Sequence, residues 1–425
     1  MSLAATNFIP RIIPAMVQQH VDDAASLHSI RSTLVRAAHV RLRKLAGFDA
    51  RVEAHLEGLE IAGAAAKPLC EAALEGASSG AIFVATVRSL ESCDSTWLEH
   101  LLAMSESSAR CRSGFSSAFG WIESARLRGV VADYLRSTRP FARLIGIAAC
   151  GSQRVDPNLG SAHFLEDPDP RVRARVYRSA GELGKRELVS RLGGVIDAED
   201  PGCQFWAAWS AVLLGDKHRS LEILEVFARD PGPNRARAFQ LALQAVSVGK
   251  AHTLLQSLAQ NPAELRWVIR GAGLSGDPAY VPWLIGLMTH DELACLAGEA
   301  FTAITGVDSE WLDLERRRPE SFKSGPNDDP ADPNVRLDED EGLPWPDAVK
   351  VEVWWHANGQ RFQPGMRYFM GQPLNRDHCL KVLKEGFQRQ RITAALYLSL
   401  LNPGTPLFEW RAPARRQQRL LAEMA

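Results

Sequence analysis

Residues 167–184 read DPDPRVRARVYRSAGELG, and in that order they spell out one helix with both ends marked. Aspartate is a preferred N-cap and proline suits the first helical position, where its missing N–H costs nothing, so Asp169-Pro170 opens the helix. Gly184 fits a left-handed C-cap. At 100° per residue Val172, Val176, Ala180 and Leu183 fall within an arc of ~80° and must be buried. Arg171, Arg175 and Arg178 form a second stripe about 100° away, which is expected to face solvent or a partner.

The same punctuation recurs downstream. Asp169, Asp200, Asp230, Asn261 and Asp291 stand 31, 30, 31 and 30 residues apart, and the first four each precede a proline. Fifteen residues after each anchor come Gly184, Gly215, Ala245, Gly276 and Gly306, so one position breaks the rule. A helix of roughly fourteen residues followed by room for a second, at a period of about 30, predicts an all-α solenoid of helical hairpins. No unit of that kind buries its apolar face alone, so neighbours must stack into a shared core.

Composition agrees with a globular chain: of 425 residues 46% are hydrophobic and 23% charged, with a formal net charge of −1. That balance gives no global drive toward nucleic acid or membrane. Only nine of the 49 basic residues are lysine, and arginine favours planar bidentate contacts and stacking over simple solvation. The seven cysteines are scattered without a C-x-x-C pair, which reads as reduced thiols in a cytoplasmic protein. No run of about 18 apolar residues is present to cross a membrane, and no signal peptide is evident.

Outside the array, residues 1–20 read as an irregular lead-in before a helical N-terminal region ending near residue 66. There FDARVEAHLEGLEIAG carries a Val52, Leu56, Leu59 stripe, with Asp49 placed to cap and Gly63 to terminate. Residues 67–166 read as less regular helices continuing the same stack, ahead of the regular repeats at 167–317. The stretch 318–345 is different: seven acidic residues and three prolines between Pro326 and Gly342 oppose a packed core. Residues 346–425 return to helical patterns and carry twelve basic against six acidic residues, so the acidic loop could dock on them by charge.

Two strings imitate enzyme motifs. GAGLSG at 271–276 has dinucleotide-fingerprint spacing, but a helix precedes it where a strand is required. GASSG at 76–80 has nucleophile-elbow spacing and also follows a helix. The histidines are dispersed, and Asp377-His378-Cys379 are neighbours that point apart on a helix. No catalytic group, metal site or cofactor is therefore expected.

The string quoted at the outset resembles the short HEAT-like repeat, with Asp169, Pro170, Val172, Arg173 and Gly184 matching its pattern D-P-x-V-R-x-x-A-x-x-A-L-G. At both ends, FDARVEAHLEGLEIAG, LPWPD, GMRYFMGQPL, GFQRQRITAALYLSLLNPGTPLF and RAPARRQQRLL are similar to a proteobacterial family of uncharacterised HEAT-repeat proteins often encoded beside type VI secretion genes. That resemblance implies a non-enzymatic scaffold or adaptor gripping a protein partner, a type VI effector or spike component. Two alternatives stay open: an immunity protein that neutralises a co-encoded toxin, and an enzyme similar to the HEAT-like phycobilin lyases. Contacts are expected at Arg171, Arg175 and Arg178, and at Trp354, Trp355, Arg361, Arg367 and Tyr368, unless this last group packs against the final repeat.

Overall fold

The computed structural model describes residues 12–195, 200–320, 322 and 338–424, and these form an all-α solenoid. The expected caps form where local chemistry allows. Asp169 accepts from the Arg171 N–H at 2.8 Å, Asp200 from Cys203 at 2.7 Å and Asn261 from Ala263 at 3.1 Å. Asp230 instead follows the helix Arg219–Arg229, and the next helix opens only at Arg235. The cause is Pro233, which steers Gly232 before it away from helical geometry. Asp291, with no proline after it, is the first helical residue behind His290, where its charge suits the helix dipole.

Gly184, Gly215, Gly276 and Gly306 all adopt the left-handed conformation. At the exceptional unit the chain leaves the helix Arg235–Ala245 through an extended Val246. The Arg367 side chain donates to the carbonyls of Gln244 and Val246 there, the latter at 2.7 Å. A guanidinium thus satisfies carbonyls at the one helix end that lacks its glycine.

The first helices of successive hairpins stack in one row: Pro170–Glu182, Pro201–Leu213, Arg235–Ala245, Leu265–Ser275 and Asp291–Thr305. The row begins well before residue 167. Pro14–Leu34, Ser79–Glu91, Ala109–Trp121 and Pro140–Gln153 precede it and pack in sequence in the same way. The lead-in is therefore shorter than expected, since the first helix starts at Pro14; residues 1–11 lie outside the described residues.

Asp49 is not a cap. The helix Leu42–Ala62 runs through it, and its buried carboxylate pairs with Arg31 and accepts from the Ala414 N–H at 2.6 Å. Arg31 in turn donates to the carbonyls of Arg411 and Ala412, at 3.1 and 3.0 Å. The two ends of the chain are locked together by a buried charge pair.

That lock belongs to a larger closure. The largest apolar core joins Val35–Leu45 and the central repeats to residues 369–421. The helix Gln388–Leu401 packs on Pro201–Leu213 and Arg235–Ala245, and Tyr397 donates to the Leu274 carbonyl at 3.2 Å. Its flanking segments run along the row of glycine caps. The Tyr368 N–H bonds to the Gly276 carbonyl at 2.8 Å, and Gly371 to Ile304 at 3.0 Å. The Leu407 N–H bonds to Glu182 at 3.0 Å. A Cβ on Gly184, Gly276 or Gly306 would overlap a carbonyl oxygen of this C-terminal region.

The Gly306 contact is made by a feature not anticipated from sequence, a two-stranded antiparallel hairpin of Tyr368–Phe369 and Gln372–Pro373. Its turn, Met370-Gly371, has positive φ at both residues. The acidic loop also docks, at its described end, chiefly on a repeat helix. Asp340 takes both contacts from Arg266 at 2.7 Å and Glu339 pairs with Arg270, while the C-terminal region contributes Arg389 to the Glu339 carbonyl at 2.7 Å. The rest of the loop lies outside the described residues.

Candidate functional site

The three-arginine stripe expected on one outer face is divided. Arg171 is 63% exposed and pairs with Asp169 at 2.7 Å. Arg175 and Arg178 turn inward to Glu182, at 2.7 and 2.8 Å, and Arg178 lies 4.6 Å over the Trp206 ring. The apolar arc of this helix leaves little room, and a buried glutamate one or two turns on supplies the partner that draws them in.

The C-terminal group lies elsewhere and is largely consumed by packing. Trp354 meets Phe301 edge-on at 5.7 Å and Trp355 packs on Phe362 at 5.6 Å. Tyr368 is buried, its hydroxyl accepting from the Gln363 N–H at 3.1 Å. Arg367 serves as the cap described above, and Arg361 stays exposed beside the Trp354 ring. The two predicted sets are not brought together.

What the structure does assemble is a chamber of about 560 Å³. Its walls come from the helices Pro14–Leu34, Ala109–Trp121, Pro140–Gln153 and Pro170–Glu182, and from residues 409–416. Serines and arginines dominate its lining, including Ser32, Ser117, Ser152, Arg36, Arg175 and Arg411. A smaller recess of about 60 Å³ adjoins it, sharing Arg178, Glu182, Glu409 and Arg411 and adding Arg237, Trp206 and Trp410.

Some of these cations are struts. Arg154 donates to the Leu407 carbonyl at 2.8 Å and pairs with Glu409 at 3.2 Å, while Arg416 reaches the Gly120 carbonyl at 2.8 Å. Glu182 serves Arg175 and Arg178; burial opposes its charge, yet Arg175, Arg178 and Arg154 hold its carboxyl far below the usual range. Burial and the nearby Arg178 push Arg411 down to about 10, and burial with Arg178 and Arg36 does the same to Arg237. Both remain cationic at neutral pH. His28, on the chamber wall, is pushed down to about 3 by burial and Arg31; it is neutral, bonded to the Ser117 hydroxyl at 2.9 Å and stacked on Phe83.

The enzyme-like strings are structural here. Gly271 and Gly273 lie within the helix Leu265–Ser275, where a Cβ would meet Leu255 and Ala300. In GASSG, Ser78 caps the helix Ser79–Glu91 through the Ala81 N–H, and the helical turn Leu74–Gly76 precedes it where the motif requires a strand. Among the described residues no three histidine, cysteine or acidic side chains group as metal ligands.

Residues 162–244 match the family model described as HEAT repeats. The chain is an α-solenoid carrying HEAT-like repeats. Comparisons with curated proteins and with solved structures gave no match, so the wider resemblance at the two ends rests on its sequence motifs alone. Among the described residues no helix is long and apolar enough to cross a membrane. Sequence reading missed Glu182, Arg36, Arg237 and Arg411 as a group. The high share of arginine over lysine was the available signal, but their convergence depends on where residues 409–416 fold back.

Proposed function

We propose that the protein is a non-enzymatic scaffold that binds a protein partner at the end of its stack, the partner being a type VI secretion effector or spike component for which it acts as adaptor. HEAT repeats commonly mediate protein–protein contacts. The inner row of helix ends is already covered by the chain's own C-terminal region, so a partner needs another surface. The observation that carries the reading is at the last repeat, where Trp311 is 85% exposed, Val349 70% and Val353 65%. Val349 and Val353 stand one turn apart on the helix Ala348–Asn358, which Lys350 ties to Asp313 at 3.0 Å.

A terminal repeat ordinarily turns a polar face outward, and large apolar side chains left bare at such an end mark an interaction site. Asp308, Glu310 and Asp313 are exposed around Trp311. The surface therefore suits a protein with an apolar anchor inside a basic rim. The link to secretion is supported by the family resemblance at the chain ends.

Affinity capture from the native host, with mass spectrometry, tests both parts. Wild-type protein should recover a secretion component that Trp311→Ala with Val353→Asp fails to recover while unfolding at the same temperature. Loss of a central aromatic anchor typically costs about 2 kcal/mol or more of binding. Equal capture by both proteins would remove the surface from the reading, and recovery of no secretion component would remove the adaptor role.

A further inference from the structure

The chamber poses a charge problem that the chain itself does not solve. Its two carboxylates, Glu182 and Glu409, are taken by Arg175, Arg178 and Arg154. Arg36 and Arg411 on its lining, and Arg237 in the adjoining recess, have no carboxylate within ion-pair distance among the described residues; Arg178 and Arg36 press electrostatically on Arg237 and Arg411, offset in part by Glu182 and, at Arg411, by Glu409. Two donors are also stranded: Arg175 Nη1 and Arg411 Nε are shielded from water with no hydrogen-bond partner. A buried unpaired donor is costly, and more so when charged.

We propose that this chamber binds a small molecule carrying a di- or triphosphate group, with Arg36, Arg175, Arg178 and Arg411 receiving the phosphate oxygens. Planar guanidiniums match phosphate geometry in bidentate fashion. A single carboxylate brings one charge and two acceptor oxygens, too little for the unpaired Arg36 and Arg411 together with Arg175 and Arg178, which share one glutamate. A phosphoryl group brings close to two charges and three acceptors. The size agrees as well, since about 560 Å³ lies within the range of roughly 300–1,000 Å³ typical of small-molecule sites. Ser116 adds a hydroxyl to the wall, while those of Ser32 and Ser152 already donate to the Ser29 and Ala149 carbonyls and that of Ser117 is bonded to His28. The site is separate from the exposed end at Trp311, so it stands or falls independently of the protein-binding reading.

Isothermal titration calorimetry on the full chain, with tripolyphosphate, pyrophosphate and a nucleoside triphosphate at matched ionic strength, is the test. Saturable binding and a higher unfolding temperature are expected. Arg411→Gln should weaken binding on the order of tenfold or more, the loss of a charge-assisted pair. Because Arg411 is half-buried, Arg36→Gln on the exposed rim is the second variant; it should weaken binding with an unchanged unfolding temperature, and Arg171→Gln should change neither. Equal affinity for tripolyphosphate and the nucleotide assigns recognition to the phosphates; tighter nucleotide binding adds the base. No saturable heat from any probe, wild-type affinity in Arg36→Gln and Arg411→Gln, or preference for a single-stranded oligonucleotide would overturn the proposal.

Discussion

Buried charge at single residues sets much of the stability. Asp49 neutralises Arg31 where both are almost wholly shielded, and it also holds the Ala414 N–H. Asp49→Ala should cost about 3–5 kcal/mol in urea unfolding, because it strands a buried guanidinium. Arg391, fully buried, donates to the Leu383 carbonyl at 2.7 Å and to Gln388 and Gln417 at 2.9 and 2.7 Å, all neutral acceptors. His28 makes stability depend on pH. Its folded pKa, about 3, lies below the 6.5 of an unburied histidine, so the unfolded chain binds the proton first. Stability is complete above about pH 6.5 and declines as pH falls toward 3, by up to about 1.4 kcal/mol per unit. His28→Phe should flatten that part of the profile in denaturant titrations at stepped pH. The pairing at Asp49 was not legible in sequence: Arg31 and Asp49 are 18 residues apart, and Ala414 lies 365 beyond Asp49.

At the scale of helices the sequence was far more readable, because ends are marked by local chemistry. The Asp-Pro anchors cap wherever no second proline intervenes, as Asp169 and Asp200 do. The glycines carried two meanings, only one of them visible beforehand. Gly276 ends its helix at φ +70° and also admits the Tyr368 carbonyl. Gly276→Ala should therefore destabilise by about 1–3 kcal/mol, from backbone strain with overlap added. Gly47, in the helix Leu42–Ala62 with open space around it, gives the opposite sign: Gly47→Ala should stabilise by about 0.5–1 kcal/mol. Thermal unfolding of the two variants side by side separates a positional glycine from a dispensable one. The hairpin at Tyr368–Pro373 escaped notice because two-residue strands leave no periodic pattern.

For the whole molecule, the repeat predicted a stack but not what would cover its inner row of helix ends. That depends on contacts between residues hundreds of positions apart, such as Gln388 N–H to the Val40 carbonyl at 2.8 Å. The arginine chamber exists only because residues 409–416 fold back, which is why Arg175 and Arg178 read from sequence as part of a stripe facing solvent or a partner. The acidic loop's pairs to Arg266 and Arg270 are partly exposed, so neutralising Asp340 and Glu339 together should change stability by no more than about 1 kcal/mol and less at high salt. The closure itself is held by apolar core and by backbone bonds of Tyr368, Met370, Gly371 and Leu407 to repeat carbonyls. Hydrogen exchange of the intact protein reads those amides directly. Protection matching the helices Pro201–Leu213 and Arg235–Ala245 is expected of a C-terminal region built into the stack; exchange at unfolded-chain rates while those helices stay protected would show a detachable tail and contradict the closed solenoid.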